Sequence, residues 1–225
     1  MATGFLVVGE PATYATTAEA AWRNAVIAGV VGRVPEDATC VSIAFSLSSV
    51  TRHWQRFDLD NLCAPVFSGL TRAGWFKGRR PNIQWWQASK RLASPAGVEI
   101  RPSSVPSPPA IEGESFKAVY SGVLPKSGSD QVFAGWVRSN LAGLDFSDTE
   151  LKLGVSLRFG SSKENIAEIA TGSVKKIIDC LYPLIGGVAS KPHDWKVEAH
   201  YVEKGCPDVE PQAVKVSVWA LPNRV

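Results

Sequence analysis

The chain runs through one order of elements twice, and the spacing of the two passes limits the folds open to it. Strand-like FLVVG begins at Phe5 and FKAVY at Phe116, 111 residues later. Each is followed by a helical stretch with a Trp on its apolar side: Ala18–Ala28 with Trp22, and Gln131–Ala142 with Trp136. Strictly alternating strands come next, with Val41, Ile43, Phe45 and Leu47 in one pass and Leu151, Leu153, Val155 and Leu157 in the other. Period two with polar intervals predicts half-buried strands. Helices then end at Leu70 and Leu181, again 111 apart. Strands at Gly97–Ile100 and Val214–Trp219 close the two passes. So long a period excludes a solenoid and predicts two copies of one α+β domain of about 100 residues. Two copies in one chain amount to a homodimer made covalent. Two unrelated domains with similar element order are the plainer alternative.

Between the passes lies a segment with Pro102, Pro106, Pro108 and Pro109. Each proline removes a backbone donor and fixes φ, so a stiff, extended linker is expected. The predicted organisation is a first domain over 1–101, a linker over 102–113 and a second domain over 114–225. With 225 residues, 45% hydrophobic and 20% charged, the chain has ordinary globular composition and length enough for a core. No apolar run approaches the roughly 20 residues of a membrane-spanning helix, and the first residues lack the basic start of a signal peptide. No membrane partner and a cytoplasmic location are expected. Cys40, Cys63, Cys180 and Cys206 are scattered without CxxC spacing and read as reduced, partly buried thiols. His193, His200 and Cys206 match no zinc-ligand spacing.

Charge is unevenly placed. Residues 1–110 carry 11 Lys and Arg against 7 Asp and Glu, whereas residues 111–225 carry 13 against 14. The excess lies in Arg52-His53-Trp54-Gln55-Arg56, in Lys77-Gly78-Arg79-Arg80 and in Lys90-Arg91. These are short clusters, which read either as solvated faces or as phosphate contacts. Trp54, Trp75, Trp85 and Trp86 read as packing rather than as platforms for unpaired bases. His53 and His193 are expected to have no catalytic part. Glu164 and Glu168 read as exposed acids.

The sharpest local signal is Arg56-Phe57-Asp58-Leu59-Asp60-Asn61-Leu62. Asp58 and Asp60 are two apart where the chain is extended, so both can project to one side. Two adjacent carboxylates raise each other's pKa unless a cation neutralises them, and Mg²⁺ or Mn²⁺ suits oxygen ligands. On spacing alone, helix capping is the commoner use of such residues. Asn61 fits a cap or a further ligand.

DLDNLCAPVFSGL, with the Ala-Gly turn and apolar-basic strand after it, resembles the core motif of RusA-type Holliday junction resolvases over about residues 5–101. The resemblance implies a small α+β homodimer that binds branched DNA and cuts it with Mg²⁺ held by aspartates. It implies metal ligation by Asp58 and Asp60, with Asn61 beside them. The family's helix lysine and helix aspartate fall at Ala64 and Ser68, and its later acidic pair falls at Arg79 and Arg80, so this copy lacks the third carboxylate. The second copy keeps Lys175 and Asp179 at the helix positions and Asp194 where the later acid lies. Its counterpart of the Asp pair is open: a gapless alignment places Ile169 and Thr171 there, and a gapped one places Ser162 and Glu164-Asn165.

The expected fold is therefore α+β, two tandem RusA-like domains, each a small mixed sheet with helices, forming a pseudo-dimer within one chain. The expected function is a Mg²⁺- or Mn²⁺-dependent endonuclease on branched or duplex DNA. Its expected residues are Asp58, Asp60 and Asp194 on the metal and Lys175 on the developing charge, with Arg52, Arg56, Lys77, Arg79, Arg80, Lys90 and Arg91 on DNA. A catalytically inactive DNA-binding homologue, and an interaction module that keeps only the fold, are the alternatives.

Overall fold

The computed structural model describes residues 4–48, 57–76, 82–106, 108–111, 113–160 and 164–222. The first half supplies β1 (Phe5–Val8), α1 (Glu19–Val30), β2 (Cys40–Leu47), α2 (Leu59–Arg72), β3 (Trp85–Leu92) and β4 (Gly97–Ser103). The second supplies β5 (Phe116–Tyr120), α3 (Gln131–Ser139), β6 (Leu153–Phe159), α4 (Ile166–Thr171), α5 (Ser173–Asp179), α6 (Tyr182–Ile185), β7 (Gly187–Val188), β8 (Lys191–Pro192), β9 (Val197–Lys204) and β10 (Val214–Ala220). Among the described residues, apart from the β7–β8 pair, the strands join one eight-stranded mixed sheet in the order β1-β4-β2-β3-β9-β6-β10-β5. The two halves share that sheet.

The order reads the same inward from either edge. β1–β4 and β4–β2 are antiparallel and β2–β3 is parallel. From the other edge, β5–β10 and β10–β6 are antiparallel and β6–β9 is parallel. The halves meet where β3 and β9 pair antiparallel, from Trp85↔Glu203 to Ser89↔Ala199.

Alternation decides which face is covered. Val41, Ile43, Phe45 and Leu47 are buried, while Ser42, Ala44 and Ser46 between them are half-buried on the open face. There the Gln87 side chain donates to Ser42 at 2.9 Å. Helix α2 packs over the central pair β3 and β9, flanked by α1 and α4. Pro65 lies inside α2 and brings no N–H to the carbonyl of Asn61 one turn earlier. That carbonyl instead accepts the backbone N–H of Tyr14 at 3.0 Å, which ties the approach to α1 onto α2.

The expected helices and strands form, with shifted ends. Leu151 lies before β6, and β4 runs to Ser103, so the sheet takes the first two residues assigned to the linker. Pro102 pairs with Val41 beyond the end of β1, where a missing donor is tolerated. The linker start is also docked: the Val105 carbonyl accepts from the Thr39 hydroxyl at 2.8 Å and from Trp85 Nε1 at 2.9 Å. Trp75, Trp85 and Trp86 are core residues, with Trp86 edge-on to Phe67 at 4.9 Å. All four cysteines are free and buried. Among the described residues, no helix is long and apolar enough to cross a membrane.

Candidate composite acidic site

Asp58, with extended backbone, occupies the N-cap position of α2, yet its side chain caps no backbone N–H. Its Oδ2 instead accepts from Asn61 Nδ2 at 2.8 Å. The capping expectation for Asp58 thus gives way to a carboxylate turned off the helix end. Asp60, in the first turn of α2, is 3% exposed.

The second half brings three groups to the same place. Lys175 and Asp179 stand one turn apart on α5, and Asp194 opens a 3-10 turn, Asp194–Lys196, that leads into β9. Lys175 Nζ lies 3.0 Å from Asp179 Oδ1, 3.3 Å from Asp60 Oδ2 and 3.8 Å from Asp194 Oδ2. Asp58 and Asp194 line one cavity together with Lys175 and Asp179. Residues 58 and 60 thus meet residues 175, 179 and 194, a convergence only tertiary structure can produce.

Charge crowding dominates the chemistry. Burial, then repulsion from Asp58 and Asp60, pushes the Asp194 carboxyl up to about 9. A proton there removes one negative charge from the cluster and gives Asp194 a single O–H donor. Burial also raises Asp58, reinforced by Asp60 and opposed by Lys175 and Lys90. Asp179 is raised by burial against the pull of Lys175. Burial works against the Lys175 charge, but the surrounding carboxylates overcome it and hold its pKa above the ordinary lysine value. Asp60 Oδ2 is buried without a hydrogen-bond donor and faces the Lys175 ammonium.

Among the described residues, no three His, Cys, Asp or Glu side chains stand as a ready metal-ligand group. The cation between the acids is Lys175. Two cavities flank it. One, of about 690 Å³, is lined by Asp58, His193, Asp194 and Trp195 together with Lys175 and Asp179. The other, of about 700 Å³, lies between α2 and α4 and includes Asp60, Asn61, Ala64 and Ser68.

The basic residues divide. Arg52, Arg56, Lys77, Arg79 and Arg80 lie outside the described residues, as do His53 and Trp54. Arg91 is exposed at the end of β3. Lys90, expected on DNA, is 0% exposed and cannot touch a phosphate. It occupies the inward-facing parity of β3 with Trp86 and Ala88, and its ammonium donates to the carbonyls of Phe57 at 2.5 Å and Trp195 at 2.8 Å. The capping residue of α4 is Asn165, in a reciprocal box with Glu168, which accounts for both without a metal. His193, given no role from sequence, lines the cavity beside Asp194 and leaves Nδ1 buried without a hydrogen bond. Its neighbours only become visible once the 3-10 turn is in place.

No protein-family model and no curated protein sequence matches the chain. Among solved structures, a cyanuric acid hydrolase from A. caulinodans is similar at a TM-score of 0.24 and 11% identity, over 98% of this chain and 72% of that one. A likeness at that level carries no argument about fold or activity.

Proposed function

We propose that this chain is a Mg²⁺-dependent endonuclease for branched DNA, a covalent pseudo-dimer of the RusA-type resolvase kind with one composite active site. The observation that carries the reading is the meeting of Asp58 and Asp60 with Lys175, Asp179 and Asp194. Burying carboxylates together costs stability, and a fold gains nothing from it that apolar side chains would not supply better. Strongly displaced carboxyl pKa values beside a cavity favour a functional site. The strand order, identical from both edges, supports the pseudo-dimer.

Asp58, Asp60 and Asp194 would hold the ion, and the donor-free Asp60 Oδ2 suits a hard cation. Bound there, Mg²⁺ would polarise a phosphate oxygen and lower the pKa of its water. The remaining work falls to the chain. Asn61 orients Asp58 through its amide. To ligate the ion, Asp194 would have to lose its proton to solvent. Lys175, beside the same acids, would offset charge gathered on the phosphate. Arg91 and the basic clusters at 52–56 and 77–80 would steer the strand by long-range attraction, with affinity falling steeply as salt rises.

The test is a synthetic four-way junction incubated with Mg²⁺ and with EDTA. Cleavage with Mg²⁺ alone is expected, and Asp58→Asn with Asp60→Asn should lose cleavage while retaining binding. Cleavage by the double variant sinks the assignment. One observation favours a second reading, a silent DNA-binding homologue: Lys175 already occupies the cation position beside Asp60, Asp179 and Asp194. Tight binding without cleavage under any divalent ion would select it. No binding at modest salt would leave an interaction module.

A further inference from the structure

We propose that Lys90 is a positioning residue that clamps the two chain segments carrying Asp58 and Asp194, and so holds carboxylates from opposite halves face to face. The proposal rests on the metal-site reading above for its purpose, though not for its geometry.

The β3–β9 ladder ends at Ser89↔Ala199, one residue short of Lys90. On its other side, β3 is still held by β2 there, with Lys90 opposite Phe45. The Lys90 backbone is therefore fixed while the central seam opens, and its side chain spans the gap. The two carbonyls it binds belong to Phe57, directly before Asp58, and Trp195, directly after Asp194. Because peptide units are planar, pinning the Phe57 carbonyl also sets the peptide plane that leads into Asp58. The clamp thus joins a segment of the first half to one 138 residues later through a single ammonium.

A lysine that served only as counter-charge would donate to a carboxylate. Lys90 donates to two carbonyls, and burial lowers its pKa to about 8 against the pull of Glu198 and Asp58. A fold needing only a filled space would be better served by Met. What the ammonium adds is two directed bonds, a role parallel to the outer-shell groups that orient metal ligands.

The sign of one measurement separates clamp from charge. A cation beside carboxylates repels a metal ion, so removing the Lys90 charge alone would tighten metal binding. Removing a clamp would weaken it. Mn²⁺ affinity by electron paramagnetic resonance should fall about 10–100-fold in Lys90→Met. Amide exchange across 57–62 and 193–197 should accelerate about tenfold, with the β1–β4 amides unchanged. Lys90→Gln, which keeps two N–H donors without charge, should recover part of both, and it carries the same two measurements if the Met variant fails to fold. Tighter Mn²⁺ binding in Lys90→Met, or unaltered exchange in both segments, overturns the clamp. If the unmodified protein binds no Mn²⁺, the metal reading fails on its own, and exchange alone decides the clamp.

Discussion

Asp194 holds a proton in the folded chain that it would release in the unfolded one. Its folded pKa, about 9, stands above the ordinary carboxyl value of 3.8, so stability is lost as pH rises from the lower value toward the upper. Asp194→Asn keeps a neutral, hydrogen-bonding group there. It should melt with the unmodified protein near pH 3.5 and be more stable by about 1–3 kcal/mol at pH 7.5, read by denaturant titration at both pH values. Millimolar Mg²⁺ should stabilise the unmodified protein and not the variant. Equal stability at pH 7.5 would mean that Asp194 is ionised and unstrained. His200 works the other way. Burial without a hydrogen-bond partner on either ring nitrogen lowers it from 6.5 to about 4. Its contribution is present above pH 6.5 and lost as pH falls toward 4, about 3 kcal/mol at 1.36 kcal/mol per unit. His200→Leu should remove that share of the acid loss in paired titrations. At this scale the sequence was partly legible. Asp58 and Asp60 were singled out by their spacing, whereas Lys175, Asp179 and Asp194 came only from the resemblance to the RusA-type motif. Lys90 was misread, because next to Arg91 it looks like a basic patch. Strand parity with Trp86 and Ala88 was the available sign that it points inward.

Elements announced by strict alternation or a one-sided apolar pattern formed where expected, as β2, β10, α1 and α2 illustrate. β9 went unseen because VEAHYVEK puts Glu198 and His200 among its apolar residues. Its buried positions are set by β3 and α2 lying against it rather than by its own pattern. The break between α4 and α5 at Gly172 likewise reflects packing against α2. Edge strand β1 offers a test of how closely elements approach. A Cβ on Gly97 would lie 2.4 Å from the Val7 carbonyl oxygen, and backbone in a ladder has little room to move. Gly97→Ala would ordinarily favour a strand slightly. Here overpacking should prevail, costing about 1–3 kcal/mol and exposing the Phe5–Val8 amides to exchange ahead of the rest of the sheet. Retained protection of those amides would show that the edge pair can part without loss.

The two halves complete each other at the central seam. Cut open there, the first half would expose the β3 edge and the part of α2 that covers β9, and the second would expose the β9 edge. Unpaired edges with apolar flanks associate. A chain divided between Pro109 and Ala110, outside every sheet contact described for the linker, should therefore give two pieces that self-associate or aggregate alone. Mixed, they should form a 1:1 complex by light scattering. The linker turns their meeting into an intramolecular event, so the divided complex should weaken on dilution while the intact chain does not. Self-pairing of the first half is the informative competitor. It would set β3 against β3 and place Asp58 and Asp60 opposite Ala64 and Ser68, the positions that match Lys175 and Asp179 in the second half. Such a homodimer could keep the sheet and still lack the composite site. Mn²⁺ binding should therefore appear in the 1:1 complex and in neither piece alone. Mn²⁺ bound by the isolated first half would mean that Asp58 and Asp60 suffice, and that the second half contributes fold rather than ligands.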